Sequence, residues 1–194
     1  MNEDQNTIDR RTSRRRTGRK AGRTVLAGVA LAGLGLVWAG PAQAGQNTAK
    51  ATPTCKESAF KATFGRQLAG GMNHQGVVIN LRNLSGRTCV VRGYPGLGLE
   101  NASHRAIKTR VTWGDTWYAK DPGKKTISLR DGQSVEAVVA WTHANTGTSG
   151  AVHASYLEIT PPAATTHKTL AFKQWVDHGD LSVTALARHV DIND

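Results

Sequence analysis

Two cysteines, Cys55 and Cys89, and seven histidines are the residues of this 194-residue chain best suited to covalent or metal chemistry. A thiol attacks as its thiolate, and a dithiol redox centre favours close C-x-x-C spacing. Cys55 and Cys89 are far apart, and an isolated pair in an exported chain is most simply a disulfide. Closing a loop of this length stabilises a fold by about 4 kcal/mol on the chain-entropy estimate. The expected bridge leaves no cysteine nucleophile.

His143 and His153 flank a glycine-bearing stretch, residues 145–150, so a hairpin there would bring them together. Asp177, His178 and Asp180 form a second cluster of donors in another loop. A zinc site needs three or four such groups converging at bond distance with an ordered outer shell. Nothing in the spacing forces that convergence, so no metal ligand and no cofactor is assigned. No serine stands in G-x-S-x-G. The glycines around Ala69-Gly-Gly-Met-Asn-His-Gln-Gly76 lack the strand-loop-helix setting of a phosphate cradle. No catalytic residue is assigned, and a non-enzymatic protein is expected. The competing reading is an exported hydrolase or metal-dependent enzyme built from His143, His153 and the loop from Asp177 to Asp180.

Aromatic residues offer a different chemistry. Trp113, Trp117 and Tyr118 lie just before the turn sequence Asp121-Pro-Gly123. Flat, low-entropy side chains on a loop suit a protein or sugar face. The same residues could instead cap one end of the core. Trp141 and Trp175 are assigned to the core, since Trp141 falls on the apolar face of an alternating run.

The elements that must position these residues begin after a targeting segment. Residues 1–44 open with Arg10, Arg11, Arg14, Arg15, Arg16, Arg19, Lys20 and Arg23, pass through an apolar run from Val25 to Trp38, and end at Ala42-Gln-Ala44. That order is a signal peptide with cleavage after Ala44. A spanning helix needs about 20 apolar residues, whereas this run is shorter, glycine-rich and followed by proline. Ser13-Arg14-Arg15 leaves the twin-arginine and general secretory routes both open. Cys55 lacks the apolar box of a lipid-attachment site, so no membrane association is expected after cleavage.

Cleavage changes the charge argument. The whole chain carries a net charge of +11, but residues 45–194 keep 17 of its 25 basic and 11 of its 14 acidic residues, a net of +6. The basic residues that remain are dispersed, so no phosphate-tracking stripe forms and nucleic acid is not an expected partner. A cell-envelope polymer or a surface protein is, with the protein secreted and extracellular or associated with the cell wall.

Residues 45–54 are small and polar and read as a flexible lead-in to one domain, residues 55–190. There the apolar pattern has period two. Val77, Ile79 and Leu81 alternate with wetter positions, as do Val135, Ala137, Val139 and Trp141, then Leu157 and Ile159, then Leu181, Val183 and Ala185. Turn signals separate the runs, and Pro95 and Gly96 are placed at the centre of a type II turn. Many short strands with almost no helical stretch predict an all-β, antiparallel sandwich, closed by a last hairpin within residues 169–190.

Several motifs recur in a known order: Ala69-Gly-Gly71; Val77-Val-Ile-Asn-Leu-Arg-Asn-Leu-Ser-Gly-Arg-Thr-Cys89; Gly93-Tyr-Pro-Gly96; Leu129-Arg-Asp-Gly132; and Leu157-Glu-Ile-Thr-Pro-Pro162. From Cys55 to about Val190 the chain resembles the actinobacterial secreted-protein family known as the DUF4232 domain. The resemblance implies an immunoglobulin-like sandwich in which Cys55 and Cys89 match the family's first cysteine pair. Many relatives carry a second pair toward the C-terminus that this sequence lacks. The family's function is uncharacterised, so the resemblance implies fold and location rather than activity.

Overall fold

The computed structural model describes residues 51–193; the signal peptide expected over residues 1–44 and most of the lead-in lie outside the described residues. The alternating runs become strands. In chain order these are β1 (Phe60–Ala69), β2 (His74–Asn83), β3 (Cys89–Arg92), β4 (Gly96–Glu100), β5 (Ala106–Ile107) and β6 (Arg110–Trp113). They continue with β7 (Thr126–Leu129), β8 (Ser134–Thr142), β9 (Ala151–Thr160), β10 (Lys168–Asp177) and β11 (Asp180–Val183). One 3-10 turn, Glu57–Ala59, precedes β1. No described helix is long and apolar enough to cross a membrane.

The fold is all-β, in three sheets. The strand order is β1-β2-β8-β11-β6 in a five-stranded sheet, β10-β9-β4-β5 in a four-stranded sheet, and β3-β7 in a two-stranded one. Every pairing is antiparallel except that of β11 with the edge strand β6, which is parallel. Val77, Ile79 and Leu81 face Val135, Ala137, Val139 and Trp141 across the β2–β8 pairing, and all seven enter one core with Leu99, Leu157 and Ile159 of the four-stranded sheet. Period-two burial of apolar area supplies the stabilisation, at about 25 cal/mol per Å² removed from water.

Cys55 and Cys89 form a disulfide, with S–S 2.08 Å and Cα–Cα 4.9 Å, inside this core. Backbone bonds reinforce it: Cys55 donates to the Val90 carbonyl, and Val90 donates to that of Pro53, each at 2.8 Å. Thr54 thereby bridges Val90 in parallel, so ordered pairing begins just before the bridge.

Four expectations are corrected. First, the outward face of β8 is not wet: Val138 and Ala140 are buried in a second cluster with Leu68, Val78, Tyr118, Ala119, Ala187 and Val190. The segment around Tyr118 and the C-terminal tail cover that face, joined by Asn193 donating to the Tyr118 carbonyl at 2.7 Å. Second, residues 169–190 do not form a hairpin. β10 belongs to the four-stranded sheet and β11 to the five-stranded one, so the tight turn at His178 and Gly179 carries the chain between sheets. Third, the left-handed residue near Pro95 is Gly93, at φ 111°, while Gly96 opens β4 opposite Thr160, so no type II turn is centred there. Fourth, Trp175 is only half-buried and lies outside both core clusters, its ring against exposed His153 with centroids 4.9 Å apart.

Candidate functional site

Residues 113–121 are held by their own polar side chains. Asp115 accepts from the Asp121 backbone N–H at 2.8 Å and from Lys120 Nζ at 2.9 Å. These two bonds, in that order, hold the Asp115 carboxyl below its usual range. Thr116 Oγ1 accepts from the backbone N–H groups of Tyr118 and Ala119. The loop therefore turns Tyr118 inward and Trp117 outward.

The aromatic trio is thereby divided. Tyr118 is 6% exposed, whereas Trp113 and Trp117 are 58% and 55% exposed. Tyr118 donates its hydroxyl to the His74 carbonyl at 2.7 Å, and burial pushes its phenol up. Its ring lies on Gly76, where a Cβ would stand 2.7 Å from two ring carbons and 3.0 Å from the Val139 carbonyl oxygen. Tyr118 is a core residue and leaves the set of candidate contacts.

Trp117 stacks on His74, with centroids 3.7 Å apart and planes inclined by 16°. The pair borders an open hollow on the outward face of the five-stranded sheet, which Thr112, Thr142, Asp177 and Ser182 also line. Cross-strand register sets this row: His74 lies opposite Thr142, Gly76 opposite Ala140, Ala140 opposite Ser182, and Ser182 opposite Thr112. An exposed indole beside hydroxyls and a carboxylate can offer a flat apolar face and hydrogen-bonding groups to one ligand.

Trp113, at the end of edge strand β6, stacks on Tyr94 with centroids 5.5 Å apart and planes inclined by 4°. Lys124 Nζ sits over both rings, 5.4 Å from the Tyr94 centroid and 6.0 Å from that of Trp113. Tyr94 donates its hydroxyl to Asp121 Oδ2 at 2.5 Å. That bond, ahead of burial and the nearby carboxylate charges, pushes its phenol up. Both tryptophans are thus fixed before any ligand arrives, which lowers the entropic cost of binding.

The histidine and aspartate set does not assemble. β8 and β9 lie in different sheets, so His143 and His153 are not hairpin neighbours. His143 Nδ1 is buried without a hydrogen-bond partner, and its backbone donates to the Asn73 carbonyl. Asp177 pairs with His178 at 2.9 Å, and Asp180 with Arg110. Among the described residues, the donors that gather are Glu100, Glu158 and His167, with one atom from each within 4.8 Å of the others. Hydrogen bonds from Glu158 and then His104 hold the Glu100 carboxyl below its usual range. Burial, and then the bond with Glu100, push that of Glu158 up. Glu158 was visible in the sequence only as a polar position between Leu157 and Ile159; the strand register that joins it to Glu100 was not.

Among known families, the one described as "Domain of unknown function (DUF4232)" matches residues 55–187. No curated protein and no solved structure matches the chain.

Proposed function

The chain belongs to the DUF4232 family, and from that premise we propose that it is a secreted, non-enzymatic module with an immunoglobulin-like sandwich fold that binds a polysaccharide of the cell envelope. The carrying observation is Trp117, exposed yet clamped on His74 beside Thr112, Thr142 and Ser182. A saccharide presents C–H faces to an indole and hydroxyls to such a polar row, and neither needs a catalytic group.

The sandwich reading is supported by the shared core of the four- and five-stranded sheets and by a buried disulfide within it. Secretion is supported by that disulfide and by the basic, apolar and small-residue order of residues 1–44. The dispersed positive charge of residues 45–194 favours an anionic polymer without forming a nucleic-acid stripe.

Sedimentation of the oxidised protein with purified envelope polysaccharide tests the proposal. Removing a central aromatic contact costs about 2 kcal/mol or more. Trp117→Ala is therefore expected to weaken binding at least tenfold, while its unfolding midpoint stays close to that of the parent protein. Unchanged binding by Trp117→Ala refutes the aromatic-platform reading. Binding that survives only on protease-sensitive envelope material identifies a surface protein instead.

A further inference from the structure

The outward face of the four-stranded sheet carries a second cluster, independent of the tryptophans. In the β4–β9 pairing Glu158 lies opposite Gly98 and Glu100 opposite Tyr156. Glu100 and Glu158 are therefore diagonal neighbours, close enough for two long side chains to meet. His167, one residue before β10, brings Nε2 to 3.4 Å from Glu158 Oε1. The Glu100 side chain is 8% exposed and that of Glu158 22%.

The surroundings favour this meeting. A Cβ at Gly98 would stand 2.3 Å from Glu158 Oε2, so the missing side chain is the space that carboxylate occupies. His104 donates from Nδ1 to Glu100 Oε2 at 2.7 Å, and its ring stacks on Tyr156 with centroids 4.1 Å apart. Asn101 Oδ1 accepts from the backbone N–H groups of Ser103 and Arg105 and so fixes the loop that carries His104.

Two carboxylates this close and this poorly hydrated need a cation or a proton between them. The nitrogen donor beside them selects among cations: imidazole with carboxylate suits zinc and its first-row neighbours, whereas magnesium and calcium favour oxygen alone. We propose that Glu100, Glu158 and His167 form a binding site for one first-row divalent transition ion, zinc foremost, with His104 as the residue that positions Glu100. A divalent ion neutralises both carboxylates, and three protein donors leave a fourth position for water. Zinc bonds of about 2.0–2.2 Å place tetrahedral ligand atoms roughly 3.4 Å apart. The present spread of up to 4.8 Å must therefore narrow on binding, by movement of the side chains. The hydrogen bond from His104 is the outer-shell contact that ligating carboxylates require.

Calorimetric titration of the oxidised, full-length chain with Zn²⁺, and visible absorption with Co²⁺, test the site. The expected result is one ion per chain, and an unfolding midpoint that rises with zinc but not with magnesium. Glu158→Gln and His167→Ala each lower zinc affinity at least tenfold. Gly98→Ala does the same with every ligand still present, by displacing the Glu158 carboxylate. His104→Ala weakens binding roughly 10- to 100-fold while keeping one ion per chain and the cobalt spectrum. His178→Ala, elsewhere on the surface, leaves affinity unchanged. Absence of stoichiometric zinc binding overturns the proposal, and so does binding equally strong in Glu158→Gln and His167→Ala; the two carboxyl groups then share only a proton.

Discussion

Reducing the Cys55–Cys89 bond measures what the staple contributes without changing the sequence. The two residues are 34 apart in the chain. For a loop of that length the chain-entropy relation gives an unfolded-state constraint of about 13 cal/mol/K, or about 4 kcal/mol at 25 °C. In a domain of this size each kcal/mol moves the unfolding midpoint by about 2–4 °C, so reduction lowers it by about 8–16 °C. Urea titration of oxidised and reduced protein reads the free energy directly. It also reads the urea dependence, which is expected to be steeper after reduction because the uncrosslinked chain exposes more surface on unfolding. Replacement by alanine is the covalent control, since serine would bury a hydroxyl at positions only 3% and 4% exposed. A loss below about 1 kcal/mol with an unchanged slope refutes the reasoning. It would mean that reduction frees little of the unfolded chain, which then stays compact without the cross-link.

Gly76→Ala forces the Tyr118 ring off the sheet and is expected to cost about 1–3 kcal/mol by overpacking, read by urea unfolding. No loss of stability would show that Tyr118 does not depend on the bare backbone at Gly76. Arg110 holds the Asp180 carboxyl below its usual range through their hydrogen bonds, with further help from the charge of Arg110 and of His178. Its contribution is thus present above the unfolded value of about pH 4 and lost as pH falls through the lower folded value. Asp180→Asn is expected to flatten the fall in unfolding midpoint below about pH 4, most clearly at low salt; an unchanged acid limb would show that the exposed pair contributes nothing.

Much of the fold was legible because strand burial has a period of two residues. Val77, Ile79 and Leu81 pointed inward whatever their strand paired with. Pairing itself was not legible, because alternation says which side chain is buried and not which strand lies alongside. The turn at His178 and Gly179 looks like a hairpin turn, yet it joins strands of different sheets. Burial on both faces of β8 was missed for a related reason: Val138 and Ala140 alternate correctly, but their cover is the loop around Tyr118 and the tail at Ala187 and Val190, far away in sequence. The sequence left Trp113, Trp117 and Tyr118 undivided between surface contacts and core caps; only the structure separates the two exposed tryptophans from Tyr118 on its glycine floor. Glu100, Glu158 and His167 formed no motif, since only the β4–β9 register and the start of β10 bring their donor atoms together.

The parallel pairing of β6 with β11 also dictates an order of events in folding. β6 has β11 as its sheet neighbour, with Arg110 aligned to Asp180 and Trp113 to Val183. A chain emerging from its N-terminus makes β6 well before the strand that must receive it, and contacts so distant in sequence close late. Until Val183 is available, β6 is an unpaired strand ending in an exposed tryptophan, the kind of edge that recruits another chain. β11, made long after β6, is therefore a clasp: it pairs with β8 on one side and β6 on the other, and loss of residues 180–183 would leave an adhesive edge.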